Sequence, residues 1–104
     1  MRTRTPYTVI VPAYNEKDGI VTVIEEIRPF TDRLIIVDDG SRDGTRELAQ
    51  ECARKHSGIT VASHQKNLGK VAAILTGIRH ARTEVVVLID ADHTYPAKEI
   101  PVLE

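Results

Sequence analysis

One segment constrains this chain more than any other: Glu84-Val85-Val86-Val87-Leu88-Ile89-Asp90-Ala91-Asp92, an apolar run that ends in two carboxylates one residue apart. A Val- and Ile-rich run of this length is too short for a helix and reads as a strand buried on both faces. Such strands belong to parallel sheets covered by helices. In an extended chain, residues i and i+2 share a side, so Asp90 and Asp92 are expected to project together from the strand end. Open parallel sheets bind ligands outside that end. Two hard oxygen donors there, with no Cys or His cluster nearby, suit Mg²⁺ or Mn²⁺ carrying a phosphate ligand.

The remaining elements fit the same architecture. Residues 7–11 form a first apolar strand, expected to stop at Pro12. A helix follows over about 18–28, with Ile20, Val23, Ile24 and Ile27 on one stripe and Pro29 ending it. Residues 34–37 form a second strand, closed by Asp38-Asp39-Gly40-Ser41. Asp43 is a plausible N-cap for a helix reaching about 56, with Leu48, Ala49, Cys52 and Ala53 inward and Gly58 beyond its end. A third strand covers 59–62. Asn67-Leu68-Gly69-Lys70 opens a helix to about 81, with Val71, Ile74, Leu75 and Ile78 inward. Three strand-helix units and a closing strand call for a mainly parallel α/β sheet with right-handed crossovers. Polar clusters close three of the four strands: Asn15 with Glu16, Asp38 with Asp39, and Asp90 with Asp92. A single shared site requires that clustering at one sheet edge.

Composition removes several classes. With 104 residues the chain is one domain able to bury a core. A formal net charge of −1 gives no sign of nucleic-acid binding or of a polybasic membrane patch. Cys52 is the lone cysteine, which excludes a disulfide framework or thiolate zinc site and leans toward a reducing, cytoplasmic compartment. No apolar run approaches a bilayer span, so no transmembrane segment is expected in this chain.

Each motif has a chemical reading beside a plainer one. In Val11-Pro12-Ala13-Tyr14-Asn15-Glu16, Tyr14 offers an aromatic face for a flat base and Glu16 can accept from hydroxyls or ring N–H groups. A rigid turn with Tyr14 packed at an edge fits those six residues equally well. Adjacent carboxylates on a strand end point oppositely, so Asp38 is read as capping local backbone and Asp39 as accepting from a nucleobase N–H. Both could instead support the turn and the next helix. Gly69 and Lys70 at a helix start would favour a phosphate, and a capped helix with a solvated Lys70 explains them nearly as well. His93 follows the acidic pair, but a lone loop histidine is more often solvated than a ligand. His56, His64 and His80 share no metal spacing and are read as surface residues, and Cys52 as core.

Together, Val-Pro-Ala-Tyr-Asn-Glu, Val-Asp-Asp-Gly-Ser-Arg-Asp-Gly-Thr, Asn-Leu-Gly-Lys and Asp-Ala-Asp-His-Thr-Tyr-Pro resemble, in order and approximate spacing over residues 7–101, the motifs of family 2 glycosyltransferases. The last is most similar to the branch containing dolichyl- and polyprenyl-phosphate sugar synthases. The resemblance implies a Rossmann-like (GT-A) three-layer sandwich, with residues 1–104 as its nucleotide-sugar-binding half, incomplete at the C-terminus. It implies that Pro12, Tyr14, Glu16 and Asp39 hold the nucleoside of a UDP- or GDP-linked sugar. Ala13, Lys70 and Ala91 join these contacts. Asp90 would contact the ribose or the metal shell, and Asp92 would ligate Mg²⁺ or Mn²⁺. Lys70-Val71 departs from the Lys-Gly expected in the family.

The implied reaction is inverting, metal-dependent sugar transfer, with a polyprenyl phosphate as a candidate acceptor at the cytoplasmic face of a membrane. The acceptor region and general base are expected outside this chain. Apolar surface and an open sheet edge exposed without them point to self-association as a homo-oligomer. The rival is a Mg²⁺-binding phosphoacceptor domain of the receiver type. It is disfavoured because the acidic pair closes the second strand, and no later strand carries the needed Thr or Ser and Lys. A dinucleotide-dependent dehydrogenase fails because the first turn has no Gly-rich loop.

Overall fold

The computed structural model describes residues 5–91, so the readings placed on Asp92 and His93 lie outside the described residues. Strand β1 (Tyr7–Ala13) leads through helix α1 (Ile20–Ile27) and a single 3-10 turn (Arg28–Phe30) to β2 (Leu34–Asp38). Helix α2 (Thr45–Lys55), β3 (Ile59–Ser63), α3 (Lys70–His80) and β4 (Val85–Leu88) follow. All described strands are parallel, in the order β3-β2-β1-β4. The expected α/β fold is present.

Handedness explains the layers. The chain steps in one direction from β1 through β2 to β3, then crosses back over both to lay β4 beside β1. Right-handed crossovers must therefore put α1 and α2 on one face and α3 on the other. The core divides accordingly. Val9, Val11 and Leu34 pack with Ile20, Ile24 and Ala49 on one side. Ile10, Ile35 and Val37 pack with Ala73 on the other. Strand alternation assigns neighbouring residues of β1 to opposite cores.

Four expectations are corrected. First, β1 does not stop at Pro12; it runs through to Ala13, with Pro12 in register with Val37. Val9 N–H donates to the Arg33 carbonyl and the Ala13 carbonyl accepts from Asp39 N–H, so the odd-numbered residues bond toward β2. Ile10 accepts from Ile89 N–H, so the even-numbered ones, Pro12 included, turn toward β4. The paired register with β4 ends at Ile10 and Leu88. The donor that Pro12 lacks thus falls beyond the paired region, which is how a central strand tolerates proline.

Second, β4 is not buried on both faces. It is one of the two edge strands of the described sheet, with Val85, Val86 and Val87 part-buried and Leu88 exposed. The strands sealed on both sides are β1 and β2.

Third, α3 does not turn Val71, Leu75 and Ile78 inward. Val71 is 72% exposed, Leu75 and Ile78 are exposed, and Ile74 is half-buried; the buried residues are Ala73 and Gly77. The opposing sheet surface already carries bulky Ile10, Ile35 and Val37. A close-packed layer then accepts the helix on its small stripe. At Gly77 an added Cβ would lie 2.5 Å from Ile10 Cγ2. Fourth, in α2 Ala49 and Cys52 are buried as expected, whereas Leu48 is exposed and Ala53 part-buried.

Gly77→Ala tests the helix contact. Alanine gains up to about 1 kcal/mol of helix propensity, but overpacking against a branch methyl of a buried central-strand residue costs about 1–3 kcal/mol. A net destabilisation of about 1–2 kcal/mol is expected as a lower urea midpoint at unchanged slope.

Candidate functional site

The turn after β1 and the loop after β2 are laced together by their polar side chains. Asn15 adopts a left-handed backbone (φ 52°), which asparagine accepts more readily than most residues. Its N–H donates to Ser41 Oγ (2.9 Å), and its Oδ1 accepts from Arg42 N–H (2.9 Å). Glu16 N–H donates to Thr45 Oγ1 (2.8 Å), and Lys17 N–H donates to Asp43 Oδ2 (3.2 Å). Asp43 Oδ1 accepts from Thr45 N–H (3.0 Å), but the N-cap of α2 is Gly44 (φ 100°), so Asp43 stands one residue before the position expected for it. The Thr45 hydroxyl and backbone N–H groups together hold the Asp43 carboxyl below its usual range. Asp38 behaves as read, accepting from Ser41 N–H (3.1 Å) through Oδ2; its buried Oδ1 has no hydrogen-bond partner.

Asp39 has the densest set of partners. Its Oδ1 accepts from His64 Nδ1 (2.8 Å) and Leu68 N–H (2.8 Å). Its Oδ2 accepts from Gly69 N–H (2.9 Å) and Asn67 Nδ2 (3.1 Å). Four donors match the roughly four acceptor positions of a carboxylate. Burial would raise the Asp39 pKa, but the His64, Leu68 and Gly69 bonds outweigh it and hold the group below its usual range. Gly40 permits this close wrapping: an added Cβ would meet the backbone carbonyl carbon of Lys66 at 2.4 Å, and φ is +77°.

These contacts revise two expectations. His64 is not a surface residue: its side chain is 10% exposed, between Asp39 and Thr76. The Gly69 N–H, at the helix start expected to favour a phosphate, points instead to Asp39, as does the Leu68 N–H.

A cleft of about 400 Å³ opens at the carboxyl ends of β1 and β4, where the strand order reverses. Pro12, Ala13, Tyr14 and Glu16 line it from the first turn, and Asp39 from the second. Lys70 enters from the head of α3, and Asp90 with Ala91 from beyond β4. Every sequence-predicted site residue within the described range therefore meets in one cleft. Tyr14 is exposed there, its ring available for stacking. Asn67, Gly69 and Ala73 also line the cleft. Ala73 was not foreseen, because the α3 stripe was assigned to larger residues.

Lys70 Nζ lies 2.6 Å from Asp90 Oδ1, tying the third loop to the fourth. Among the described residues no group of three His, Cys, Asp or Glu side chains could hold a metal. A magnesium-like ion commonly uses one or two carboxylates and completes its shell with substrate phosphate and water. The Asp90 carboxylate on the cleft wall fits that donor set.

An open parallel sheet with its polar loops gathered at the reversal of strand order is a Rossmann-like nucleotide-binding architecture. The chain belongs to glycosyl transferase family 2, whose family model matches residues 8–103. It is 35% identical over 108 residues to a dolichyl-phosphate beta-glucosyltransferase of Trichomonas vaginalis, covering 93% of this chain and 32% of that protein. An undecaprenyl-phosphate 4-deoxy-4-formamido-L-arabinose transferase of Edwardsiella ictaluri is 32% identical over 101 residues, covering 90% and 31%. A mannosyltransferase from Pyrobaculum calidifontis, solved with GDP-Man and Mn²⁺, superposes with a TM-score of 0.81 at 33% identity, over 93% of this chain and 30% of that one. S. aureus TarS in complex with UDP-GlcNAc gives 0.74 at 26% identity, over 85% and 27%. The fold is thus the GT-A type. The chain spans about a third of the length of the curated relatives it matches.

Asp39 also carries a pH signature. Its folded pKa is depressed, so its stabilising contribution is complete above its unfolded value and lost as pH falls through the folded one. Stability should therefore drop below about pH 4. Asp39→Ala should cost on the order of 3 kcal/mol at neutral pH, because buried donors lose their acceptor. Urea melts at stepped pH should also lack, in the variant, that part of the acid-side slope.

Proposed function

We propose that this chain provides the donor site of an inverting, metal-dependent glycosyltransferase that uses a nucleoside-diphosphate sugar. The observation carrying this reading is the convergence of Tyr14, Glu16, Asp39, Lys70 and Asp90 on one cleft where the sheet changes direction. The GDP-Man, Mn²⁺ and UDP-GlcNAc of the structural relatives support a nucleotide-sugar ligand and a divalent ion. The names of the curated relatives support a polyprenyl phosphate as acceptor.

In this reading Pro12 and Ala13 shape the wall against which the nucleoside lies, and the Tyr14 ring stacks on the base. Glu16 accepts from donor hydroxyls or ring N–H groups. Asp39, whose acceptor positions are taken by loop donors, lines the cleft and holds the loop that frames the base. Lys70 places a cation beside the diphosphate, and Ala91 leaves room at the strand end. Asp90 and Asp92 would hold Mg²⁺ or Mn²⁺, which supplies neutralisation of the charge on the departing diphosphate. In this reading the acceptor site and general base are sought outside the residues that line the cleft. The receiver-type alternative has no support from the family match.

Calorimetric titration with UDP and GDP, with Mn²⁺ and with EDTA, tests this. One nucleotide should bind at least about tenfold more tightly with Mn²⁺. Asp90→Asn and Asp92→Asn should each remove most of that gain while leaving the fold intact. Equal affinity with and without the ion, or binding of neither nucleotide, would overturn the reading.

A further inference from the structure

His64 lies immediately beyond β3, an edge strand of the described sheet, and no part of the donor-site reading uses it. Its backbone N–H continues the ladder to the Asp38 carbonyl (2.9 Å), which sets the ring beside Asp39. Both ring nitrogens are engaged: Nδ1 with Asp39 Oδ1 and Nε2 with Thr76 Oγ1, each at 2.8 Å. An ionised carboxylate only accepts, so Nδ1 carries the proton, and in the neutral ring Nε2 accepts from the Thr76 hydroxyl. Thr76 is part of α3 and neighbours Gly77, whose missing side chain lets that helix lie close over Ile10. The imidazole therefore joins three things: the helix position, the Asp39 carboxylate and, through Asp39, the Leu68–Gly69 backbone. That backbone leads directly into Lys70 on the cleft wall.

We propose that His64 is a positioning residue for donor binding, fixing Asp39 and the 67–70 loop in the arrangement that receives the nucleotide. The proposal rests on the donor-site reading above. It requires the Nδ1 bond specifically, beyond a polar group in the same space. Fixing these groups beforehand reduces the ordering cost of binding.

Two substitutions of similar polarity separate these roles. In His64→Asn the amide nitrogen stands the same number of bonds from Cα as Nδ1, so it can still donate to Asp39. In His64→Gln the amide reaches one atom further, toward Thr76, and the short bond to Asp39 is lost. Thr76→Val keeps the volume and removes only the far hydroxyl. UDP and GDP affinities with Mn²⁺ would be measured by calorimetry on the full 104-residue chain. Amide exchange at Leu68 and Gly69 and the melting temperature would be measured on the same samples.

His64→Gln should bind about tenfold more weakly, with Leu68 and Gly69 exchanging about tenfold faster because their acceptor has become mobile. His64→Asn should recover most of the affinity and protection. Thr76→Val should fall between them. Wild-type binding that His64→Gln retains, with unchanged exchange, would overturn the proposal alone. So would an equal loss in the Asn and Gln variants, since that indicates a purely structural ring. If wild-type chain binds neither nucleotide, the donor-site reading fails and takes the functional role of His64 with it. Faster exchange in His64→Gln alone would still establish the loop-holding step.

Discussion

A carboxylate kept ionised in a nearly dry place needs donors on every side, and Asp39 obtains them from four groups. That need organises much of the rim. It draws the loop between β3 and α3 over the end of β2, makes Gly40 necessary beneath it, and turns two backbone N–H groups of that loop inward. Each bond taken singly contributes little net stability. Their value lies in mutual support, because removing the acceptor strands several donors together.

A second set of contacts does the same for the first two loops. Asn15, Ser41, Asp43 and Thr45 bond across from one segment to the other, and Ser41, Asp43 and Thr45 also bond within their own. Much of the polar richness in residues 38–45 is therefore spent on architecture. The cleft-lining side chains Tyr14, Glu16, Lys70 and Asp90 are carried on a frame that is itself polar. Such a frame specifies one arrangement of loops more sharply than apolar packing would.

The fold was legible because its signals are coarse and redundant: β-branched runs of strand length, helical stripes between them, and acidic residues at the strand ends. The meeting of Tyr14, Asp39 and Asp90 followed from topology alone, since parallel strands deliver their carboxyl ends to one rim. Finer features failed for identifiable reasons. In α3 the helical period supports a stripe of Val71, Leu75 and Ile78 as readily as one of Ala73 and Gly77, and only the bulk of Ile10 on the opposing strand decides between them. His64 looked like a surface histidine because its partners are 25 residues before it and 12 after. Burial of β4 was overread because an edge strand and a central one can carry the same apolar run.

Pro12 gives the cleft its opening. A parallel ladder continues only while each strand alternately offers a donor and an acceptor to its neighbour. On the side facing β4 the next donor after Ile10 would be Pro12, which has none. Zipping of these two strands is therefore arrested chemically, whatever the apolar appetite of the residues beyond. Beyond the Ile89 bond to Ile10 the two strands share no ladder contact among the described residues, and Pro12, Asp90 and Ala91 stand on the wall of the cleft that opens there.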